Sequence, residues 1–297
     1  MINSLSGDKQ FTMEEIRSSS QKMISHALED NLAKELKENA ENDREKARMN
    51  SVGMKYSGAW LQAVPVKSLG LHLRPLEFVT AVKYRLGMRV YSTEGPCRSC
   101  TTGFNDAFGD HAVGCASDGE RIFRHNVVRD ALYCTAKSAL LSPAKEENSL
   151  LPGSAEKPAD VFIPGWHQGR DAAFDISVVS PLQTQLVRRS AEETGSSANK
   201  RYADKMAKYF GPCDNEGIQF FPLIVETLGG WHPDSVDTIT KLARQLACHA
   251  GTSMDDTVQH LFQRLGILLA RGNSALILHR RIRSIDAEID GDIDTDN

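Results

Sequence analysis

Residues 158–179 constrain the fold more than any other part of the sequence. Two apolar, β-prone runs, 159–163 and 172–179, flank a polar, glycine-containing segment, and this pattern predicts a β-hairpin with a longer loop. Each run carries one aspartate, Asp160 in the first and Asp175 in the second. If the strands pair about the middle of the loop, the two aspartates lie roughly opposite each other, with Cβ atoms about 5 Å apart.

Two carboxylates at that separation repel each other unless a cation lies between them. Mg²⁺ is typically held by one or two carboxylates together with water and phosphate oxygens, so the pair is typical of a metal site for phosphate chemistry. Because side chains alternate along a strand, Ser177 is expected to face the same site as Asp175. The alternative is that Asp160 only begins a strand and that Asp175 is an edge residue in a salt bridge.

A second candidate ion site precedes the hairpin. Its residues follow the spacing C-x2-C-x10-H-x3-C, and they are Cys97, Cys100, His111 and Cys115. Three thiolates and one imidazole are the ligand set of a closed, structural zinc site. The alternative is three buried, reduced cysteines beside an incidental histidine. The other cysteines are expected to be small buried residues; they are Cys134, Cys213 and Cys248.

Composition narrows the class of protein. With 297 residues and 40% hydrophobic residues, the chain can form one sizeable domain with accessory segments. No apolar run approaches the roughly 18 residues of a membrane span, and the first residues do not resemble a signal peptide. We therefore expect a nuclear or cytoplasmic protein that is neither secreted nor transmembrane. The net charge is −4, but six acidic residues lie within 286–296, so the rest of the chain is slightly basic. That balance permits a local basic groove without demonstrating one.

Periodicity and turn residues divide the chain into six segments. We expect a helical or partly disordered extension (1–56), a helical connector (57–92), the zinc segment (93–118), an α/β domain (119–234), C-terminal helices (235–284) and a disordered acidic tail (285–297). Pro75 suits the first turn of a helix in the connector, and Gly87 suits its end. The charged run at 37–50 is interpreted as a solvated helix or disordered segment, with a partner-binding coiled coil as the alternative.

Two helices of the α/β domain carry basic residues. The first begins near residue 121 and offers Arg124, His125 and Arg129 to phosphates, although such a histidine can equally be a packing or capping residue. In the second, Tyr202 and Lys205 are spaced to share one side of the helix, which could direct the lysine at the carboxylate pair. A lysine there could orient the attacking water or stabilise charge on phosphorus. The alternative is a solvated basic helix.

The element order is helix, strand, two strands that each bear an aspartate, helix and strand, provided that 140–151 contributes the first strand. Pro158-Ala159-Asp160, followed after fourteen residues by Asp175-Ile176-Ser177, resembles the motif of the PD-(D/E)XK nucleases. With the zinc segment before it, the arrangement resembles the restriction-like endonuclease module of site-specific non-LTR retrotransposon proteins. The resemblance implies a mixed α/β fold: a restriction-endonuclease-like αβββαβ core with a small CCHC zinc segment and flanking helices.

The resemblance also implies roles for individual residues. Asp160 and Asp175 would bind Mg²⁺, with the carbonyl of Ile176 as a third ligand. Ser177 stands where the motif has a lysine, and retrotransposon members place that lysine on the following helix. This position corresponds to Lys205.

The assignment of the displaced lysine has alternatives on the same helix. Lys208 and Lys200 are possible substitutes for it, with Tyr202 beside the site, and Lys208 is also a candidate DNA-binding residue. Residues 202–205 lack the second aspartate of a polymerase loop, so no reverse-transcriptase site is expected.

The resemblance implies a Mg²⁺-dependent DNA endonuclease of retrotransposon origin, with a structural zinc ion. DNA is the expected partner, with the RNA of the parent element as a further candidate and no membrane involvement. The oligomeric state stays open. One alternative is a catalytically degenerate nuclease fold that binds nucleic acid without cutting it. Another is a structural fragment of a longer polyprotein.

Overall fold

The computed structural model describes residues 21–280, apart from 101, 118, 149, 154 and 155. The first part of the predicted extension and the predicted acidic tail lie outside the described residues. The helices are α1 (Gln21–Glu38), α2 (Asp43–Val52), α3 (Pro75–Leu86), α4 (Asp110–Gly114), α5 (Glu120–Ser138), α6 (Val187–Glu192), α7 (Ser196–Asn215), α8 (Pro233–Ala250) and α9 (Met254–His279). The strands are β1 (Gly95–Pro96), β2 (Phe104–Asn105), β3 (Ala144–Lys145), β4 (Val161–His167), β5 (Arg170–Val179) and β6 (Ile218–Glu226).

The main sheet has the strand order β3-β4-β5-β6. β3 and β5 are both antiparallel to β4, whereas β6 is parallel to β5. A parallel pair requires a crossover connection, and α7 lies in the connection between β5 and β6. The predicted class, mixed α/β, is confirmed, and β3 falls within the stretch expected to supply the first strand.

Helices cover both faces of the sheet because β5 is apolar on both sides. Phe174 and Ile176 point into a core that they share with residues of α5, α8 and α9, such as Leu132. Ala173, which points the other way, packs in a second core that includes Tyr209 of α7. A strand buried on both faces is typical of a parallel or mixed sheet, and it holds β5 rigidly at the centre of the domain.

The β4–β5 hairpin is tighter than expected. Its turn consists of Gln168 and Gly169, both at positive φ (51° and 76°), as a two-residue hairpin turn requires. The predicted longer loop is wrong because β4 continues through it, with a register shift between Ile163 and His167. Trp166, within this stretch, is buried and packs edge-on against Phe174, with ring centroids 5.1 Å apart. Burial of a large aromatic side chain stabilises the added strand residues.

The predicted helix limits in the connector are confirmed. Pro75 occupies the first turn of α3, and Gly87 ends it in the left-handed conformation (φ 71°). Within the predicted C-terminal helices, α9 runs without a break through residues 275–279. Of the three cysteines expected to be buried, only Cys213 is; Cys134 and Cys248 are exposed.

The polar run that we interpreted as solvated is part of the fold. Asn50 of α2 is buried, and its side-chain amide donates hydrogen bonds to the carbonyls of Ser190 (2.8 Å) and Ala191 (3.0 Å). Arg44 forms an ion pair with Asp110 of α4, with Nε 2.5 Å from Oδ2. A polar helix can therefore pack closely when some of its polar groups meet specific partners, a pattern that apolar periodicity does not reveal.

Candidate active site and metal centre

The two aspartates of the hairpin meet at the start of β4. Val161 pairs with Phe174, so Asp160 and Asp175 occupy the next positions along the two strands. The backbone N–H of Asp160 donates to the carbonyl of Phe174 (2.8 Å). Its carboxylate accepts a hydrogen bond from the N–H of Ile176, at 2.6 Å from Oδ2. Asp160 is thus fixed to β5 by both its backbone and its side chain.

Asp175 is buried and faces a lysine of α7. The Nζ of Lys205 lies 2.8 Å from each carboxylate oxygen of Asp175. Burial raises the pKa of Asp175 because it disfavours the charged form, while the Lys205 ammonium partly opposes that shift. Among the described residues, Asp175 Oδ2 has no hydrogen-bond partner of good geometry. The Lys205 ammonium is thus an ion-pair partner of this oxygen without donating a well-aligned hydrogen bond to it.

His125 of α5 supports Asp160 from the other side. Its Nε2 lies 3.0 Å from Asp160 Oδ1. The pocket over these groups has a volume of about 410 Å³, and Ser177 lines it with the two aspartates, as strand alternation predicts. Lys205 closes the same pocket from α7. The structure therefore brings both predicted aspartates, His125 and Lys205 to one site.

Arg124 lines this pocket, but its hydrogen bonds stabilise the fold. Its side chain is buried, and Nη1 donates to the carbonyl of Val113 (3.1 Å) and to Asn273 Oδ1 (2.7 Å). Burial lowers its pKa to about 10. Arg129, also predicted to bind DNA, is buried away from the pocket, where it forms ion pairs with Asp130 and Glu146. Neither guanidinium is available to phosphates in the way we expected.

Three further predicted residues of α7 lie outside the pocket. The Tyr202 ring stacks on His232, with centroids 4.0 Å apart. The two alternative lysines are exposed and paired with acids: Lys200 lies 3.1 Å from Asp204, and Lys208 lies 2.8 Å from Glu156. Lys205 is only 17% exposed. Of the lysines that we considered on α7, Lys205 alone reaches Asp175.

The sequence interpretation missed two pocket residues, Arg121 and Arg201. Arg201 Nε donates to Ser177 Oγ at 3.4 Å. A signal for this residue was present, because Arg201 precedes Lys205 by four positions and residues i and i+4 share a helix face. Arg121 belongs to the first turn of α5, where its exposure could not be predicted from periodicity.

The four residues of the predicted zinc motif come together. Their ligand atoms all lie within 4.8 Å of one another. Cys97 Sγ is 4.0 Å from Cys115 Sγ, and Cys100 Sγ is 3.3 Å from His111 Nε2. Tetrahedral zinc with Zn–S bonds of about 2.3 Å would give S–S separations of about 3.8 Å. The cluster could therefore bind zinc, as the spacing indicated.

Local structure fixes these ligands. The β1–β2 pair and the hydrogen bond from Cys97 N–H to the Gly103 carbonyl (2.9 Å) fold the first two cysteines together. Burial raises the pKa of Cys115, but hydrogen bonds from Ser117 and Arg280 outweigh it and lower the pKa to about 6. Burial raises the pKa of the neighbouring Cys97, so of these two thiols Cys115 is the one predisposed to the thiolate form in which cysteine binds metal.

Comparison with protein families and with curated proteins identified no relative of this chain. No protein-family model matches the chain, and no curated protein matches it significantly. Within the described residues, no helix is both long and apolar enough to cross a bilayer. The fold and the two sites define the class: a mixed α/β protein with a Cys₃His cluster that could hold zinc, beside a pocket with two aspartates and a lysine.

Proposed function

We propose that the protein is a metal-dependent DNA endonuclease that hydrolyses phosphodiester bonds in the Asp160–Asp175 pocket. The observation that carries the proposal is the contact between Lys205 Nζ and the buried Asp175 carboxylate, at 2.8 Å. The PD-(D/E)XK motif needs two acids and a lysine at one site, and this chain lacks the lysine at Ser177. A lysine that arrives from α7 supplies the missing charge.

The order of elements supports the same proposal. α5, β3, β4, β5, α7 and β6 follow one another as helix, three strands, helix and strand, with the short α6 inserted. This is the αβββαβ order of the restriction-endonuclease-like core. In it, both aspartates belong to the central hairpin and the lysine to the helix that follows. A retrotransposon origin, with the zinc segment placed ahead of the nuclease core, is part of the proposal.

The donor set fits a hard divalent cation. Asp160 and Asp175 supply carboxylates, and Asp175 Oδ2 is the buried oxygen that lacks a good hydrogen-bond partner among the described residues. Oxygen ligands of this kind, with open positions for water and phosphate, suit Mg²⁺. The two aspartates would hold the ion, with the Ile176 carbonyl as the third ligand. Bound there, Mg²⁺ would supply Lewis-acid activation of the phosphate and of a water molecule.

The protein's own groups have separate tasks in this reaction. The Lys205 ammonium would orient the attacking water or stabilise the negative charge that develops on the phosphate oxygens. His125 and the Ile176 N–H hold the Asp160 carboxylate in a fixed orientation. Because these contacts are formed before substrate arrives, little reorganisation is required at the moment of reaction.

A plasmid-nicking assay in Mg²⁺ and in Mn²⁺, with a metal-free control, tests the proposal. Asp160→Asn and Asp175→Asn should each abolish nicking and leave DNA binding intact. Asp171→Asn is the matched control, because Asp171 lies on β5 but is bonded to the Gly165 N–H, outside the pocket. Nicking at the wild-type rate by both pocket variants would remove the assignment.

The lysine is tested in the same assay. Lys205→Gln should reduce nicking by about 10² or more, as the loss of one preorganised charged donor typically does. Lys208→Gln, on an exposed lysine of the same helix, should have no such effect. Equal losses in both variants would mean that the effect is not specific to the pocket.

A binding module without catalytic activity is the second candidate. The serine at position 177 and the near-neutral charge of the chain favour it. The two candidates separate in one experiment: a wild-type chain that binds DNA but never nicks it, with either metal, would be the degenerate form.

A further inference from the structure

We infer that Arg201 and Arg121 position the nucleic-acid backbone in this pocket, with Arg201 at the scissile phosphate and Arg121 at a neighbouring one. The inference deepens the proposed endonuclease function and rests on it. It assigns the substrate contacts to two arginines on opposite walls, one on α7 and one at the start of α5.

Arg201 lies directly beside the acidic pair. Its Nε donates to Ser177 Oγ, and Ser177 is two residues beyond Asp175 on the same face of β5. This anchor uses one of five guanidinium N–H groups. The residue is exposed, and its positive charge acts on the Asp175 carboxylate, whose raised pKa, a result of burial, it partly opposes. The remaining donors are therefore available for a phosphate that binds against Asp175 and Lys205.

Arg121 faces the pocket from the opposite side. Its Nη1 donates to the Gly114 carbonyl at 3.3 Å, which ties the side chain to the end of the zinc segment. It too is exposed. An exposed guanidinium that lines the pocket can present its planar fork to a phosphate.

The charge of the pocket favours a phosphate backbone. Apart from the buried Arg124, which stabilises the fold, three cationic side chains line the pocket against the two aspartates; they are Arg121, Arg201 and Lys205. A second cavity of about 760 Å³ beside the zinc cluster shares Ala116 with this pocket, but its lining, among the described residues, includes Asp106 and Asp110 and no lysine or arginine. We therefore place the phosphate contacts at the aspartate pocket itself, where the planar guanidinium fork can bind phosphate through two hydrogen bonds.

The salt dependence of DNA binding tests the inference without requiring cleavage. For each phosphate contact that is lost on duplex DNA, the slope of log K against log salt should decrease in magnitude by about 0.9. Arg201→Gln and Arg121→Gln, measured as full-length, zinc-loaded chains without Mg²⁺, should each show that decrease. Arg189→Gln, on an arginine already paired with Glu193, is the matched control and should leave the slope unchanged.

Arg201→Lys separates a positioning role from simple charge. The variant keeps the positive charge, so its salt slope should match that of the wild type. It loses the fork, so kcat/KM for nicking should fall at least tenfold. Unchanged slopes in both glutamine variants, with nicking intact, would overturn this inference and leave the endonuclease proposal standing. Reduced slopes in a protein that never nicks DNA would support the phosphate contacts of the two arginines and overturn the endonuclease proposal.

Discussion

Replacement of Gly103 by alanine should weaken zinc binding at least about 100-fold. A Cβ at this position would lie 2.0 Å from His111 Cε1 and 2.6 Å from Cys100 Sγ. Non-bonded carbon atoms are ordinarily about 3.5–4.0 Å apart, so the imidazole would have to move by more than about 1 Å. Metal sites tolerate departures of only about 0.2 Å. Mutation of residues that merely hydrogen-bond to metal ligands typically lowers metal affinity 10–100-fold. Displacement of a ligand itself should therefore lower zinc affinity at least about 100-fold, which corresponds to about 2.8 kcal/mol.

Competition with a chromogenic zinc chelator gives the affinity directly, and thermal unfolding with and without chelator gives the linked change in stability. Gly95→Ala is the matched control, because Gly95 lies in the same small β-ribbon and a Cβ there would meet no atom within 4 Å. The Gly95→Ala variant should bind zinc with the same affinity as the wild type. A zinc affinity of the Gly103 variant within threefold of the control would refute the reasoning that the cluster is a preformed tetrahedral site.

Three further predictions concern the fold. Burial raises the pKa of Glu226, so the stability that its protonated form contributes is present below about pH 4.3 and is lost as pH rises through the raised pKa. Glu226→Gln should thus gain stability over wild type with rising pH, by about 1.4 kcal/mol for each unit of the shift; a pH-independent difference in urea unfolding would contradict this. Ser235→Ala should cost roughly 1–3 kcal/mol, because Ser235 Oγ satisfies the Ile224 N–H and the Pro222 carbonyl in a fully buried position. Gly272→Ala should cost about 1–3 kcal/mol, since its Cβ would lie 2.6 Å from Arg124 Cγ. An unchanged urea midpoint would contradict the hydrogen-bond argument for Ser235→Ala and the packing argument for Gly272→Ala.

The hairpin was the most predictable part of the fold because its signals are local. β-branched and aromatic residues flanked by turn residues indicated two strands, and strand alternation placed Asp175 and Ser177 on one face. The turn itself was mispredicted. Trp166 was assigned to a loop, yet its ring packs on Phe174 and draws the preceding residues into β4. That contact depends on a neighbouring strand, so no local pattern could reveal it.

For the helices around the site, too, local spacing predicted some features, whereas those that depend on distant contacts were missed. The helical spacing correctly singled out Lys205, but it could not distinguish partners: Lys200 and Lys208 meet acids that are distant from the pocket. The buried arginines, Arg124 and Arg129, were mistaken for phosphate ligands because basic residues are normally exposed. Their burial depends on tertiary acceptors such as Asn273, 149 positions away along the chain.

The position of the zinc segment follows from the contacts of Arg124. This arginine on α5 donates to the carbonyl of Val113 in α4, two residues after the zinc ligand His111 and two before Cys115. The next residue on α5, His125, contacts Asp160. The end of the metal cluster and the aspartate pocket are therefore fixed to consecutive residues of one helix. The packing of α5 in the main core holds both contacts in place, since Val128 and Leu132 of this helix are fully buried there. A zinc ion bound by the cluster would therefore lie beside the N-terminal part of α5 and outside the pocket.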